Sequence, residues 1–567
     1  MNALAELIAR GGRQNGHRDA VVGATRTLSF RDVDAESNRL ASFLSRELGL
    51  KKGERVAIML ANCPEFVVAD FALIKAGLVR VPVNPRYAGP EVEFILNHSG
   101  AAALLTSDAF AAVVDSISAP SLRQVIVTGP AETFSRDTLA WRDALAAGRG
   151  EPFAVDTVAG DGYMLAYTSG TTGRPKGALT TTAARWANMF NCYANEMFVT
   201  PDDVMLHVAS LAHGTGTKVL PLFAKGAMQV LLPKFSAAEF FRLVERHRVT
   251  ISWMVPTMVA MLADAPERSH YDTSSLTTII YGGATMPEPV LERALAAFGP
   301  IFVQIYGLTE APHPDIVLSK REHLPDSATG VRHATGRAGR AAVGVQIRLV
   351  DDAGRDVPQG EVGEIVIAGD HVMSGYWNDP AATAETLRDG WCHTGDMARA
   401  DAAGFYTIVD RKKEMIISGG YNVYPREVED ALYRHPAVAE CAVIGAPDEM
   451  WGETVHALIV VKQDCAIDGP SLLEHCAREL AGYKKPRKLT FVDALPRTAN
   501  GKIDKKALRA ASVVPADAGT QWLSTNGAES SGLTNDAGSP LSWGTTAEDV
   551  DTPPHTSRGR QAGKIIA

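Results

Sequence analysis

Cysteine is scarce and scattered: the 567 residues hold six, at 63, 192, 392, 441, 465 and 476, with no CxxC pair among them. That spacing offers neither a zinc site nor a disulfide framework, and the six read as ordinary cytosolic thiols. A basic excess is also missing. The formal net charge is -9, which argues against nucleic acid as the main partner and leaves any anionic ligand to be met by a local site. No uncharged apolar run reaches membrane length, and the opening Met1 to Arg10 carries Glu6 inside its short apolar stretch with no charged n-region before it. An integral membrane segment and a secretory leader are therefore not expected, and a cytoplasmic location is. Length excludes a single core, so two or more domains are expected.

What is present begins with Tyr167-Thr-Ser-Gly-Thr-Thr-Gly-Arg-Pro-Lys-Gly177, directly after the apolar Met164-Leu165-Ala166. Gly170, Gly173 and Gly177 let a backbone bend close to a bulky anion. Thr168, Ser169, Thr171 and Thr172 supply hydroxyl and amide donors, and Lys176 a positive charge. The run fails the Walker A pattern, because Pro175 stands where a glycine is required and Gly177 follows Lys176 instead of Ser or Thr. A P-loop NTPase is disfavoured; read alone, the stretch would also pass as a flexible Gly/Ser/Thr linker.

From about residue 50 to 305, short apolar runs alternate with segments of helical period. Val56–Leu60, Val81–Val83, Val204–Val208, Met228–Leu232, Ile251–Met254, Thr278–Tyr281 and Phe302–Ile305 are predicted strands. Helices are predicted between them, among them one with Phe66, Val67, Phe71 and Ile74 on a single face, and others over Ala237–His247 and Pro287–Phe298. This rhythm predicts an α/β fold with doubly wound parallel sheets. Past residue 340 it gives way to strands joined by glycine turns, Val345–Val350 and Gly363–Ile367 among them, and so to a small β-rich subdomain. The charged cluster Asp410-Arg-Lys-Lys413 is a candidate hinge before a compact α+β unit. Residues 513–567, rich in Ala, Gly, Ser, Thr, Asp and Pro, are expected to form a disordered tail dispensable for activity.

The phosphate loop is followed, in order, by Tyr281-Gly-Gly-Ala284, Tyr306-Gly-Leu-Thr-Glu310, Trp391-Cys-His-Thr-Gly-Asp396, Asp410 to Gly420, and Pro496-Arg-Thr-Ala-Asn-Gly-Lys-Ile503. Together, over about residues 1 to 512, these resemble the adenylate-forming superfamily of acyl-CoA synthetases, non-ribosomal adenylation domains and beetle luciferases. The resemblance implies a large N-terminal domain over 1–409, made of two doubly wound subdomains and a β-barrel-like one. It further implies a hinge at 410–413 and a mobile C-terminal domain over 414–512. It implies ATP, Mg²⁺ and coenzyme A as co-substrate, with a carboxylic acid activated as acyl-AMP.

Joining a carboxylate to the α-phosphate of ATP brings anions together, so the site must supply positive charge, a hard cation and in-line alignment. By the family pattern the loop Thr168 to Lys176, including Ser169, Gly170, Thr171 and Thr172, would hold the β- and γ-phosphates. Glu310 with Thr168 would hold Mg²⁺, and Thr309 would touch the α-phosphate. Gly283 and Ala284 would leave a slot for adenine, with Tyr306 and Gly307 beside it and the Tyr306 ring offering a stacking face. Asp396 would accept the ribose hydroxyls, with Arg411 as a second hold. Lys502 would be the catalytic lysine of adenylation, acting as a point charge, although alone beside Lys505 and Lys506 it would read as a solvated lysine. Lys413 would be the pivot between half-reactions, after which Gly419 and Gly420 would line the tunnel for the pantetheine thiol.

His213, in Leu211-Ala-His-Gly-Thr-Gly-Thr217, aligns with the family's acyl-pocket helix and would be an acyl gate, or else a satisfied polar residue at a helix start. Gly214, Gly282 and Ala311 would leave room in the acyl pocket, as would Ala212, Gly216 and Gly283. No carboxylate stands at Ala212 or His213 to pair an α-ammonium group, which disfavours amino acids. His313 is expected either to meet a polar substituent or to face solvent. A fatty acid of medium or long chain is favoured, with an aryl acid such as a benzoate or cinnamate as rival. The alternatives are an acyl-AMP ligase that loads a carrier protein in trans, and a non-catalytic nucleotide- or acyl-binding protein.

Overall fold

The computed structural model describes residues 2–168, 175–325, 336–448, 451–463, 465–498 and 501–512. They fall into two compact units. The first comprises the chain up to Lys413 together with Lys502, and the second Glu414–Thr498 and the segment from Ile503.

Two large sheets build the first unit. In one, the strands Phe302–Tyr306, Thr278–Gly282, Ile251–Met254, Val204–His207, Met228–Leu231 and Asp19–Val22 run parallel in that spatial order. Antiparallel edges close it at Thr27–Ser29 on one side and at Ile316–Leu318 and Arg340–Ala341 on the other. The apolar runs are buried on both faces, as Ile251–Met254 and Thr278–Gly282 are throughout, which is why they read as continuous hydrophobic stretches. The second sheet carries Gly162–Thr168, Val79–Pro82, Arg55–Met59, Ala103–Ser107, Gln124–Thr128 and Leu139–Ala140 in parallel. An antiparallel edge of Lys176–Thr181 and Gly375–Tyr376 completes it. A smaller antiparallel sheet follows, with Gln346–Val350, Gly363–Ala368, Trp391–Ala400 and Tyr406–Arg411 as its longer strands.

Local sequence explains most boundaries. Ser236 caps Ala237–His247 by accepting from the Glu239 amide, and Phe240, Phe241, Leu243 and Val244 form its buried stripe. The helix Pro64–Ala76 opens on proline and closes on Gly77 at φ 64°. It differs from the one-faced helix expected, being buried almost all round. The reason lies in two ion pairs that make its polar side compatible with burial: Asp70 lies 2.8 Å from Arg80, and the Lys75 ammonium 2.6 Å from Asp34.

The second unit is an α+β module. Val438–Asp448 and Gly452–Val461 pair antiparallel, with Ile416–Ser418, Tyr421–Val423 and Lys488–Phe491 beside them. Helices Pro425–Tyr433, Gly469–Glu479 and Lys505–Ser512 contribute to two apolar clusters, one of them built on Val428, Leu432, Val443 and Leu472. Among the described residues, no helix is long and apolar enough to cross a membrane. Residues 513–567, the expected tail, lie outside the described residues.

Candidate active site

One cavity of about 1120 Å³ lies in the first unit, and most of the motif residues converge on it. Its polar end starts from a hairpin. Gly162–Thr168 and Lys176–Thr181 pair to their tips, where Thr168 faces Lys176, so both residues reach the cavity wall. Of that loop, Ser169, Gly170, Thr171 and Thr172 lie outside the described residues.

The Lys176 ammonium stands 5.1 Å from the centre of the Tyr376 ring. The Tyr376 hydroxyl donates to Glu310 Oε1 at 2.6 Å, and burial, then the Glu310 charge, push that hydroxyl's pKa up. Tyr376 therefore stays protonated and holds the carboxylate in place. Glu310 and Thr309 line the cavity beside Thr168 and Lys176.

Asp396 and Arg411 are cross-strand partners, and Arg411 Nε lies 2.8 Å from Asp396 Oδ1. The Tyr306 hydroxyl donates to Asp396 Oδ2 at 2.7 Å, which ties the motif at 306–310 to the one at 391–396. Burial, then Asp396, raise the Tyr306 pKa well above its ordinary value. Thr394, Gly395, Gly283, Gly307 and Arg411 are on the cavity wall, whereas Ala284, Tyr306 and Asp396 are set just off it. Gly283 sits at φ 78°, a conformation that favours glycine. Lys412, Lys413 and Lys502 complete a basic border. Enclosure by protein, then repulsion from Arg411, lower the Lys502 pKa against the opposing pull of Asp396.

At the other end, Val208, Val255, Met258, Ile305 and Trp253 give an apolar lining, with His213 and Gly214 at its side. His213 precedes a short 3-10 turn, Gly214–Lys218, instead of lying in an α-helix; the α-helix begins only at Val219. His213 Nε2 is 3.0 Å from Asn84 Nδ2. Its pKa is lowered to about 4 by desolvation and then by Lys502 and Arg86, so the imidazole is neutral at working pH.

Three expected lining residues are not on the wall. A Cβ at Gly282 would meet the Ile305 carbonyl at 2.4 Å, so this glycine serves strand packing. Ala311 is fully buried in a cluster with Ile316, Ala342, Ile365 and Ile367. Gly216 likewise faces the Leu211 carbonyl, 2.0 Å from where its Cβ would be. The solvent alternative for His313 also fails: its ring lines the cavity, is 14% exposed, and stacks on Trp253 with centroids 5.9 Å apart.

Sequence reasoning missed Glu196, Lys218, Trp253 and Tyr376. Glu196 Oε2 and the Lys218 ammonium are 2.5 Å apart with both side chains fully buried, directly behind His313. A signal existed for Lys218, a lone charge before the apolar Val219-Leu-Pro-Leu-Phe223, but nothing local links it to Glu196. Gly419 and Gly420 belong to the second unit, at φ 59° and 83°. A Cβ at Gly419 would meet the Trp451 ring at 2.5 Å, while Gly420 borders open space.

The cavity thus joins a cationic, hydroxyl-bearing lining at Thr168, Lys176, Arg411 and Lys502 to an apolar lining at Val208, Val255, Met258 and Ile305, and can hold an anionic group beside an apolar one. Residues 8–377 match the family described as AMP-binding enzyme, and residues 427–502 match the AMP-binding enzyme C-terminal domain. The chain belongs to this adenylate-forming family, in its acyl-CoA ligase branch. A feruloyl-CoA synthase of Amycolatopsis sp. is 39% identical over 89% of this chain and 98% of its own length. The medium/long-chain-fatty-acid–CoA ligase FadD8 of Mycobacterium tuberculosis is 36% identical over 86% of each chain. Among solved structures, the anthranilate CoA ligase AuaEII in complex with anthranoyl-AMP superposes with a TM-score of 0.81 at 29% identity, covering 90% of this chain and 97% of that one.

Proposed function

We propose that the protein is an ATP-dependent acid:CoA ligase. A carboxylate attacks the α-phosphorus of ATP, the bond to the β-phosphate breaks and pyrophosphate leaves; the thiol of coenzyme A then displaces AMP from the acyl-adenylate. The observation that carries this reading is the single cavity in which Thr168, Lys176, Glu310, Arg411 and Lys502 face an apolar chamber beside His213.

In the first step Lys176 and the amides of its loop neutralise the β- and γ-phosphates, and Thr309 orients the α-phosphate. Lys502 is placed to attract both the incoming carboxylate and the α-phosphate as charge shifts between them. Burial, then Arg411, lower its pKa, against the pull of Asp396. Asp396, held by Tyr306 and Arg411, accepts hydrogen bonds from the ribose.

Glu310 and Thr168 suit Mg²⁺, which binds through one or two carboxylates plus substrate phosphates and not in an all-protein cage. Mg²⁺ would supply charge neutralisation on the phosphates. Lys413 is the proposed pivot after which Gly419 and Gly420 admit the pantetheine arm, and a cytoplasmic location is part of the same reading.

A fatty acid is the first reading for the acid, on the lining of Val208, Val255, Met258 and Ile305. An aryl acid is the second, favoured by the flat wall of Trp253 and His313. Acid-dependent pyrophosphate release across fatty, aryl and amino acids, each with and without coenzyme A, tests both. Release stimulated by coenzyme A names the acid class. Release indifferent to it, with thioester formed only on an added carrier protein, replaces the acceptor by one like that named for ScoC, a fatty acid–[acyl-carrier-protein] ligase 35% identical to this chain.

A further inference from the structure

Lys502 stands on a turn whose two feet belong to the second unit: the chain leaves that unit after Thr498 and re-enters it at Ile503. The feet are joined to each other. Arg497 and Ile503 form an antiparallel bridge, the Asp504 amide donates to the Pro496 carbonyl at 2.8 Å, and Arg497 pairs with Glu440. Asp504 then caps the helix Lys505–Ser512 by accepting from the Ala507 amide at 3.0 Å. One turn into that helix, Leu508 is buried with Ala442, Ile444, Leu458 and Leu495, and Ile503 packs against them.

Apolar packing of this kind is non-directional, so it does not by itself set the angle at which the helix start meets the turn. Charge supplies the direction. Lys505, the first helical residue, places its ammonium 2.7 Å from Glu429 Oε1 and 3.7 Å from Glu414 Oε2, and Arg509 reaches the same Glu414 oxygen at 3.5 Å. Glu429 Oε1 also accepts from the Val443 amide at 2.8 Å, which anchors the cluster to the strand Val438–Asp448. The side chains of Lys505, Glu414 and Glu429 are 18%, 15% and 17% exposed. Ion pairs open to solvent add little to stability, but an ammonium between two carboxylates that would otherwise repel each other pins the first turn of the helix. Glu414 directly follows Lys413, the proposed pivot, and Lys505 follows Lys502 by three residues. One cluster therefore ties the exit of the pivot to the turn that carries the proposed catalytic lysine.

We propose that Lys505, clamped between Glu414 and Glu429, is a positioning residue for adenylation, holding the turn at the setting in which Lys502 reaches the cavity. Lys505 is not on the cavity wall and acts only through Lys502.

The proposal rests on the reading of Lys502 as the lysine of the first half-reaction, and its test separates the two. Acid-dependent pyrophosphate release, and thioester formation from a synthetic acyl-adenylate, are measured on the full chain and its variants. Lys505→Met is expected to lower kcat for pyrophosphate release about 10- to 100-fold, as a slightly displaced catalytic group does, with KM for ATP and for the acid nearly unchanged. Transfer from the supplied adenylate to coenzyme A should stay near the parent rate. Lys505→Arg should restore most of the loss. Glu414→Gln, which keeps the shape of the side chain and leaves Lys505 its second partner, should show a smaller loss of the same kind, and Lys505→Met/Glu414→Gln should be no slower than Lys505→Met alone. Unchanged pyrophosphate release in Lys505→Met overturns the proposal. Equal loss in both half-reactions also overturns it, since a mere support of the fold would act on both; Glu414→Gln decides the matter if Lys505→Met does not fold. Parent-like pyrophosphate release by Lys502→Ala would instead overturn the reading of Lys502.

Discussion

The two ends of the cavity are built on opposite plans. At the nucleotide end most functional side chains sit in short motifs, and contacts between motifs fix them, Tyr306 to Asp396 and Asp396 to Arg411, with Tyr376 on Glu310 the exception. At the acyl end the polar centre is assembled from Glu196, Lys218 and His313, single residues outside the motifs, although Lys218 directly follows Leu211–Thr217 and His313 stands three residues after Glu310. Phosphate chemistry constrains the first end, since every nucleoside triphosphate presents the same anions at the same spacing. On the proposed function the second end would answer to the acid, and its residues are joined only by folding.

Changes at the two ends should separate by kind. The largest effect is expected for Lys502→Ala, which should slow acid-dependent pyrophosphate release by about 100- to 1000-fold, as removal of one preorganised transition-state donor does. Transfer to coenzyme A from a synthetic acyl-adenylate should suffer far less, and equal loss in both assays would remove Lys502 from the first step.

At the acyl end the expected damage is to stability. Lys218→Met leaves Glu196 buried without its partner and should cost about 3–5 kcal/mol in denaturant unfolding, with Lys218→Met/Glu196→Gln recovering much of it. A single variant as stable as the parent would mean that the pair is not closed in solution.

Smaller than either is the effect of Lys413→Pro, expected to lower thioester formation roughly tenfold while leaving adenylation close to normal, as for a conformational pivot. A further effect is on acidification. His207 and His323 are fully buried, and desolvation lowers each pKa to about 4. The unfolded chain, with histidines near 6.5, then binds more protons below that pH. Their contribution to stability is fully present above pH 6.5 and should be lost as pH falls toward 4. Thermal unfolding midpoints across that window check the sign, and His323→Gln should flatten the slope.

The parallel strands were legible because each is a short apolar run buried on both faces, and Ile251–Met254 and Ala237–His247 fall where periodicity puts them. Two features were not. The pairing of Asp19–Val22 with Met228–Leu231 joins segments some two hundred residues apart, and no local pattern encodes it. The all-round burial of Pro64–Ala76 depends on partners for Asp70 and Lys75 that lie on other elements.

The site divides in the same way. Thr168, Lys176, Glu310 and Lys502 are residues whose motifs carry them to the cavity wall. Gly282 and Ala311 were misjudged because small size in a sequence does not distinguish a residue that opens a pocket from one that lets two strands pack. Tyr376, Trp253 and Glu196 became visible only through their neighbours, and Lys218 left only the trace of a lone charge before an apolar run.

The most direct test of the account is a product balance on the purified protein with ATP, Mg²⁺, coenzyme A and the best acid of a fatty and aryl panel. The account predicts acyl-CoA and AMP in equal amounts, with pyrophosphate release stimulated by coenzyme A. Release of ADP and phosphate, or AMP formed without any thioester, would contradict it.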